Sequence, residues 1–496
     1  MKIKNIISAA IALLSVTSCS DYLDVKPSDR ISETVNFSSL AGFRQALNGI
    51  YVELNSNQLY GRSLSCEFIE TMAQRYAVFA ENKSATEIMN LNFGSSTAQS
   101  ITESIWGKAY NLIANANLII KNCEENRAVL PDEYYHIIKG EAYALRAYLH
   151  FDLYRLFCHA YSSSSSSTAI PYYEAFSLNV NPSLPSNEFM DKVIADLTIA
   201  EQELQDDPII RYGVAGNPKD VFLSYRNLRL NLYAVQGLMA RVYYYICQPD
   251  GLEDGNAEYK RLAYEYAKKV IDIQETYFPW VNATDALTST VIDHVFSSEV
   301  MFALQNLSRE SLYNSCFNAN NLKPAALLGC RNDVITEIFG GSKAGQDYRY
   351  RANFPNTVSV GTTPYRVFTK YEGTDSLYAQ MIPMIRISEA YLIAAEIGPE
   401  EGERLELFNT FREHRGISER TSDINELTHD DLRHNTLLDR EWIKEFIGEG
   451  QLFFWYKCHG SLGMRSANDP ENKTPFYVAS TAKYVIPIPD AETKYN

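Results

Sequence analysis

The chain lacks the short signatures that mark most enzymes. It contains no Gly-x-Ser-x-Gly elbow, no phosphate-binding loop, no Gly-x-Gly-x-x-Gly turn and no His-Glu-x-x-His pair. Nucleophilic serine, nucleotide and zinc-peptidase chemistry therefore have no local foothold. Positive charge is in deficit as well: 45 Lys and Arg stand against 61 Asp and Glu, a net charge of −16. Such an acidic chain is a poor partner for nucleic acid or anionic lipid headgroups. Beyond the N-terminal segment no stretch approaches the about 20 apolar residues that a membrane helix needs. The cysteines form no Cys-x-x-Cys pair and no Cys/His cluster at zinc spacing. Apart from Cys19 their number is odd, so at least one thiol stays unpaired, and Cys123, Cys158 and Cys247, near the ends of helical patterns, are expected as small core residues. Histidines are scattered. His150 and His159 lie on or just after a helix with a strong core stripe and are expected to be structural or exposed rather than ligands. No loop has the spacing of a calcium hand, so a structural calcium has no support, and no metal or cofactor is expected.

What is present begins with an export signal. Lys2 and Lys4 precede a short, mostly apolar run from Ile6 to Val16, and Val16-Thr17-Ser18 brings small residues up to Cys19. The pattern predicts a lipoprotein signal over residues 1–18, cut before Cys19, with Cys19 carrying lipid. Acyl chains hold a protein at a bilayer by burying methylenes, at about 0.8 kcal/mol each, so the mature chain is expected to be tethered to a membrane without crossing it.

The mature part is dominated by helical periodicity. Apolar residues recur at three and four in Leu40–Leu54, in Ile105–Cys123 and in the helix opened by Pro131, which runs through Tyr135, Ile138, Ala142, Leu145, Leu149 and Leu156. Glu188–Leu204, Leu228–Ile246 and Glu258–Ile273 continue the series, and helical patterns resume over Pro383–Ala395, Glu401–Arg415 and Leu437–Phe446. Alternating small and large residues in Gly237-Leu238-Met239-Ala240 suit close helix–helix contact. Helix pairs of this length with short turns predict a mostly α fold built of tetratricopeptide-like pairs, although no strict repeat consensus is present. Six serines, Ser162 to Ser167, read as a surface loop leading into a short extended piece at Ala169–Tyr173. Residues 278–380 differ: Asn, Ser, Gly and Thr prevail with scattered aromatics, and Met301–Leu304 and Tyr365–Phe368 read as short strands. Irregular segments on a rigid scaffold are where ligand contacts usually lie. Paired carboxylates such as Glu441 and Glu445, one helical turn apart, are expected on a solvated or salt-bridged face.

Six segments in order resemble one family. Cys19-Ser20-Asp21-Tyr22-Leu23-Asp24-Val25-Lys26-Pro27 resembles the mature opening of SusD/RagB-like proteins, the surface lipoproteins of Bacteroidetes nutrient uptake. Trp106-Gly107-Lys108-Ala109-Tyr110 with Ile113 and Asn117, then Gly140-Glu141-Ala142 with Leu145-Arg146-Ala147, resemble two of that family's helices. Met384–Glu396 resembles a third, with Ser388 in place of Ala; Glu441 with Glu445-Phe446-Ile447-Gly448-Glu449-Gly450 resembles a fourth block, with Trp442 where the family has Arg and Cys458 where a basic residue is common. Val485-Ile486-Pro487-Ile488-Pro489 resembles the terminal tail. The matched residues are mostly scaffold, and Arg146 and Arg386 are expected to make structural charge pairs.

The resemblance implies one SusD-like domain over 19–496, with the helical scaffold mainly in 40–275 and 383–450 and an irregular ligand side mainly in 278–380. It implies a non-enzymatic lipoprotein, anchored in the outer membrane and facing the cell exterior, that binds an oligosaccharide or polysaccharide and delivers it to a SusC-like TonB-dependent transporter. Aromatic rings cover the C–H face of a sugar while amides bond its hydroxyls. The expected contacts are Tyr76, Phe79 and Phe93 with Asn82 and Asn92 before the Trp106 helix, and Trp280, Tyr313 and Phe317 with Asn314 and Asn318 in the later loops. A peptide-binding member of the same family is the alternative. A surface glycoside hydrolase, which needs two carboxyls about 5 Å apart across a cleft, and a scaffold that binds only proteins complete the field.

Overall fold

Local signals place the helices. The computed structural model describes residues 36–161, 168–177, 179–247, 257–323, 326–373, 380–430, 434–468 and 476–493. The export signal, Cys19, the opening motif and the serine run lie outside these described residues. Ser39 caps Leu40–Leu54 by accepting from the Gly42 amide, and Ser95 caps Ser96–Glu125 through Ala98. That cap starts the second helix nine residues before its apolar period begins, in polar turns that periodicity does not register. Pro131 sits at the N-cap of Asp132–Phe157, followed by Asp132 and Glu133 in the first turn, where carboxylates favour the helix dipole.

Each helix then packs on the next. Ser96–Glu125 lies on Asp132–Phe157, which lies on Ser186–Glu203; Leu232–Cys247 joins them and carries Ala257–Asp272. Ile387–Ile397 closes on Ala257–Asp272, and Glu401–Glu413 closes on Ile387–Ile397. This succession of pairs is the expected mostly α, tetratricopeptide-like architecture. One apolar cluster runs through it from Phe37 to Ile486. Cys66, Cys123, Cys158, Cys247, Cys316, Cys330 and Cys458 are all buried, and none is in a disulfide among the described residues.

The segment expected to be helical from Pro383 begins differently. Met381–Arg386 is a buried strand paired antiparallel with Val300–Gln305, and the helix starts only at Ile387. Pro383 disfavours helix before it, and the partner strand lies some eighty residues earlier, out of reach of local pattern. This strand pair also explains Gly237. A Cβ there would stand 2.7 Å from Met301 Cε and 3.1 Å from Ile385 Cγ2, so the small residue lets Leu232–Cys247 approach the strands rather than another helix.

An ionic core joins the scaffold to the irregular side. Glu445, on the buried face of Leu437–Phe446, accepts from Arg349 at 2.9 Å, from Arg415 at 3.0 and 2.7 Å, and from Arg386. Arg415 reaches on to Glu299 at 2.9 and 2.6 Å, while Arg349 also binds Glu441 and Asp347. Glu441 and Glu445 are therefore salt-bridged, as expected, but in the interior instead of on a solvated face. Arg386 pairs with Glu445 and Glu449, and Arg146 with Asp196, so both are the structural pairs expected.

Gly49 offers a simple test of the helical register. It lies exposed inside Leu40–Leu54, and a Cβ there would meet no atom within 4 Å. Gly49→Ala is expected to raise stability by about 0.5–1 kcal/mol, the usual Gly-to-Ala gain within a helix, read as a higher urea midpoint.

Candidate functional site

Two of the segments expected to hold ligand converge on one strand. The chain leaves the short helix Phe68–Met72, turns at Gln74, where φ is +62°, and pairs Ala77 with Gly329. Val78 N–H donates to Asn468 Oδ1 at 2.9 Å, and Asn468 Nδ2 also meets Met89 Sδ at 2.8 Å, so one side chain pins both arms of the loop. At the tip of this loop Phe79 is half-buried, its ring 5.2 Å from that of Tyr365. Tyr365 belongs to Thr363–Arg366, the central strand of a three-stranded sheet between Cys330–Arg331 and Thr357–Val360.

Side chains alternate along a strand, so Arg366 points away from Tyr365. Its guanidinium donates to Asn332 Oδ1 at 2.8 Å and to Phe354 O at 3.0 Å, and lies 5.0 Å from the Tyr350 ring centre. There it lines a cavity of about 520 Å³ with Tyr350, Arg351, His294 and Glu372. Every residue lining this cavity falls within 278–380, the segment expected on the ligand side. Burial pushes the His294 imidazole down to about 4, against the pull of its bond to Ala352 O, so His294 is neutral at pH 7. Burial raises the Glu372 carboxyl, partly offset by Tyr313. The cavity thus offers two arginines, a tyrosine ring, a neutral imidazole and a carboxyl raised by burial.

The remaining expected residues fall into four groups. Asn82 and Asn92 are spent in part on the loop itself: Asn82 Oδ1 caps Lys83–Met89 through Ala85 N at 3.1 Å, and Asn92 Nδ2 bonds Glu87. Asn92 is exposed and Phe93 is half-buried against the core. Tyr76, Tyr313 and Phe317 lie below the surface. Tyr76 is 1% exposed, gives its hydroxyl to Cys66 O at 2.8 Å and packs on Phe317, which is fully buried against Phe368. Asn314 accepts from Asn318 at 2.6 Å and Asn321 at 3.1 Å, an amide cluster at the end of Arg309–Cys316. Trp280 stands apart, stacked on His414 at 4.9 Å, with Tyr391 at 4.8 Å and the Arg415 guanidinium 5.1 Å from its centre. These contacts tie Trp280 to scaffold helices. Sequence reasoning missed Tyr365, Asn468 and Arg351. Tyr365 was legible as strand, but nothing local shows that its ring meets Phe79.

Other hollows lie along the first helix. Cavities of about 720 and 540 Å³ share Val52, Asn55 and Gln305, and exposed Val52, Val221 and Leu307 stand at their rims. Both are larger than the cavity at Arg366; the former draws Gln305, Leu307, Ser311 and Ser315 from the irregular segment but has no aromatic lining, and the latter is lined mainly by scaffold residues.

Rings and polar groups therefore meet on one irregular face of a helical stack. Known proteins place it further. Residues 21–212 match the SusD-like family, described as starch-binding and associating with the outer membrane. A SusD-like protein of Formosa agariphila is 20% identical over 495 residues, covering 90% of this chain and 88% of the relative. Another from that organism is 25% identical over 218 residues, a match spanning 41% of this chain and 39% of that relative. In three dimensions a SusD superfamily protein from Bacteroides thetaiotaomicron superposes with a TM-score of 0.67 at 20% identity, covering 92% of this chain and 98% of that one. A SusD-like carbohydrate binding protein from Bacteroides vulgatus gives the same score at 17% identity, over 92% and 96%. Residues 21–212 thus resemble the SusD-like family, and the chain shares its fold with SusD superfamily structures. Among the described residues no helix is long and apolar enough to cross a membrane.

Proposed function

We propose that the chain captures a glycan on the face centred on Thr363–Arg366 and delivers it to a SusC-like TonB-dependent transporter, without turning it over. The observation that carries this reading is the meeting of the Phe79–Tyr365 ring pair with the Arg351- and Arg366-lined cavity on the two faces of one strand. A ring suits the C–H face of a sugar, and guanidinium and amide groups suit its hydroxyls. Contacts are assigned first to Phe79, Asn82, Asn92 and Phe93, with Tyr76, Tyr313, Asn314, Phe317 and Asn318 forming the floor that holds them. Lipid on Cys19 keeps the protein at the outer membrane with this face outward. Glu441 and Glu445 are engaged by arginine and lysine, which speaks against their use as a hydrolytic pair.

One feature favours the peptide reading. Thr357–Val360 is an edge strand with alternate exposed residues, and an extended peptide adds to such an edge. Calorimetry against panels of oligosaccharides and oligopeptides separates the two. Phe79→Ala and Arg351→Ala are each expected to weaken glycan binding about tenfold, or ~1.4 kcal/mol, with unchanged Tm. Binding of peptides alone would replace the glycan reading, and release of shortened sugars would replace the binding role itself.

A further inference from the structure

The approach to the Leu437–Phe446 helix folds a separate group of titratable side chains into the core. His429, His434 and Asp439 each place one donor atom within 4.8 Å of the other two. His429 and Asp439 have fully buried side chains, and His434 is wholly inaccessible. Trp455 stands edge-on to His429 at 4.8 Å, and Tyr456 lies 4.8 Å from His434, so the surroundings are aromatic.

Outer partners decide which nitrogens are free. His434 Nε2 lies 2.7 Å from Gly463 O. A carbonyl only accepts, so Nε2 carries the proton and Nδ1 is a bare lone pair. That Nδ1 has no hydrogen-bond partner, a costly condition for a buried acceptor. At His429, Nε2 meets Ser461 Oγ at 2.8 Å, and Nδ1 shares a proton with Asp439 Oδ1 at 2.8 Å. The second Asp439 oxygen accepts from Asp430 N at 3.0 Å. Two imidazoles held from behind by oxygen, with a carboxylate fixed by a backbone amide, form the outer arrangement that orients metal ligands.

We propose that His429, His434 and Asp439 bind one divalent transition-metal cation, zinc by preference, which staples the segment before Leu437–Phe446 to the loop at Ser461–Gly463. The N₂O donor set suits zinc at about 2.0–2.2 Å per ligand. Closing the trio onto an ion moves the farthest donor by about 1 Å, since ligands at those lengths in a tetrahedron stand about 3.4 Å apart. Binding replaces the proton that His429 and Asp439 share and gives the His434 lone pair its partner. Glu396, paired with His459 at 2.7 Å, lies behind His429, whose ring is 4.3 Å from that of His459.

The test uses the full mature chain, stripped with chelator and titrated with Co²⁺ as a visible probe and with Zn²⁺ by calorimetry. One Co²⁺ per chain with ligand-field absorption, its displacement by zinc and a higher Tm with zinc are expected. His434→Asn keeps a residue type that tolerates the φ of +50° found there. It and Asp439→Asn should each weaken zinc roughly a hundredfold or more. The unaltered chain guards against misfolded variants. Absence of stoichiometric metal on it, or zinc affinity in both variants equal to that of the unaltered chain, overturns the site and leaves the trio as a buried hydrogen-bond network.

Discussion

Glu445→Ala is expected to cost about 3–5 kcal/mol of stability, the usual consequence of removing one member of a buried ionic group. Three arginines, Arg349, Arg386 and Arg415, converge on this carboxylate, and their side chains are at most 3% exposed. Removing it leaves guanidinium groups short of negative charge where water does not reach. A lower urea midpoint, or failure to accumulate folded protein, is the expected reading. Glu413→Ala provides the contrast, because Glu413 and Arg420 are each 43% exposed and such pairs contribute at most about 1 kcal/mol. Acid should reach the same joint. Burial pushes Glu441 up, but Lys444, Arg349 and Arg412 outweigh it and hold its carboxyl at about 2. Glu445 is likewise held well below the usual range by Arg415, Arg386 and Arg349 against the effect of burial. Stability from such depressed groups is complete above the unfolded carboxylate value of about 4.3 and is lost as pH falls toward 2. Tm should therefore drop over that window, and less steeply in Glu445→Ala. Equal slopes would show that other carboxylates dominate acid unfolding.

The location of that joint explains what the sequence could and could not reveal. Helices with an apolar stripe and a capping residue declare themselves locally, and Leu437–Phe446 has the bounds its period predicts. Arg146 and Arg386 were legible as structural charges because each is embedded in apolar sequence. Met381–Arg386 was not legible as strand, since its identity depends on a partner at Val300–Gln305. The site shows the same division. Aromatic and amide-rich loops pointed to candidate segments, yet whether Phe79 or Tyr76 reaches the surface depends on Phe317 and Tyr365, hundreds of residues away. Histidines at 429 and 434 looked scattered, because the shared buried position with Asp439 comes from folding the segment back on Ser461 and Gly463.

Gly450→Ala should be comparably damaging, for a reason of space rather than charge. Gly450 has φ of +73°, and a Cβ built on it would lie 2.1 Å from the carbonyl oxygen of Leu64. The left-handed conformation alone costs a non-glycine residue about 1–3 kcal/mol, and a backbone oxygen cannot swing aside as a side-chain tip does. A loss of about 3 kcal/mol or more is expected from the combination. Gly450→Asn separates the two causes: asparagine tolerates the torsion but brings the same Cβ, so it should rescue little, and full rescue would show that torsion is the whole effect. The damage should also reach the proposed binding face. Gly450 N–H donates to Glu70 at 2.9 Å and Gly448 N–H to the same carboxylate at 3.0 Å. Glu70 lies in Phe68–Met72, the helix that launches the loop bearing Phe79. Burial raises the Glu70 carboxyl to about 7 despite both amides, so little reserve holds it if one donor moves. Under conditions where Gly450→Ala remains folded, glycan affinity should fall as well, whereas Glu413→Ala should bind as the unaltered chain does. Retained affinity in folded Gly450→Ala would detach the ligand face from this clamp.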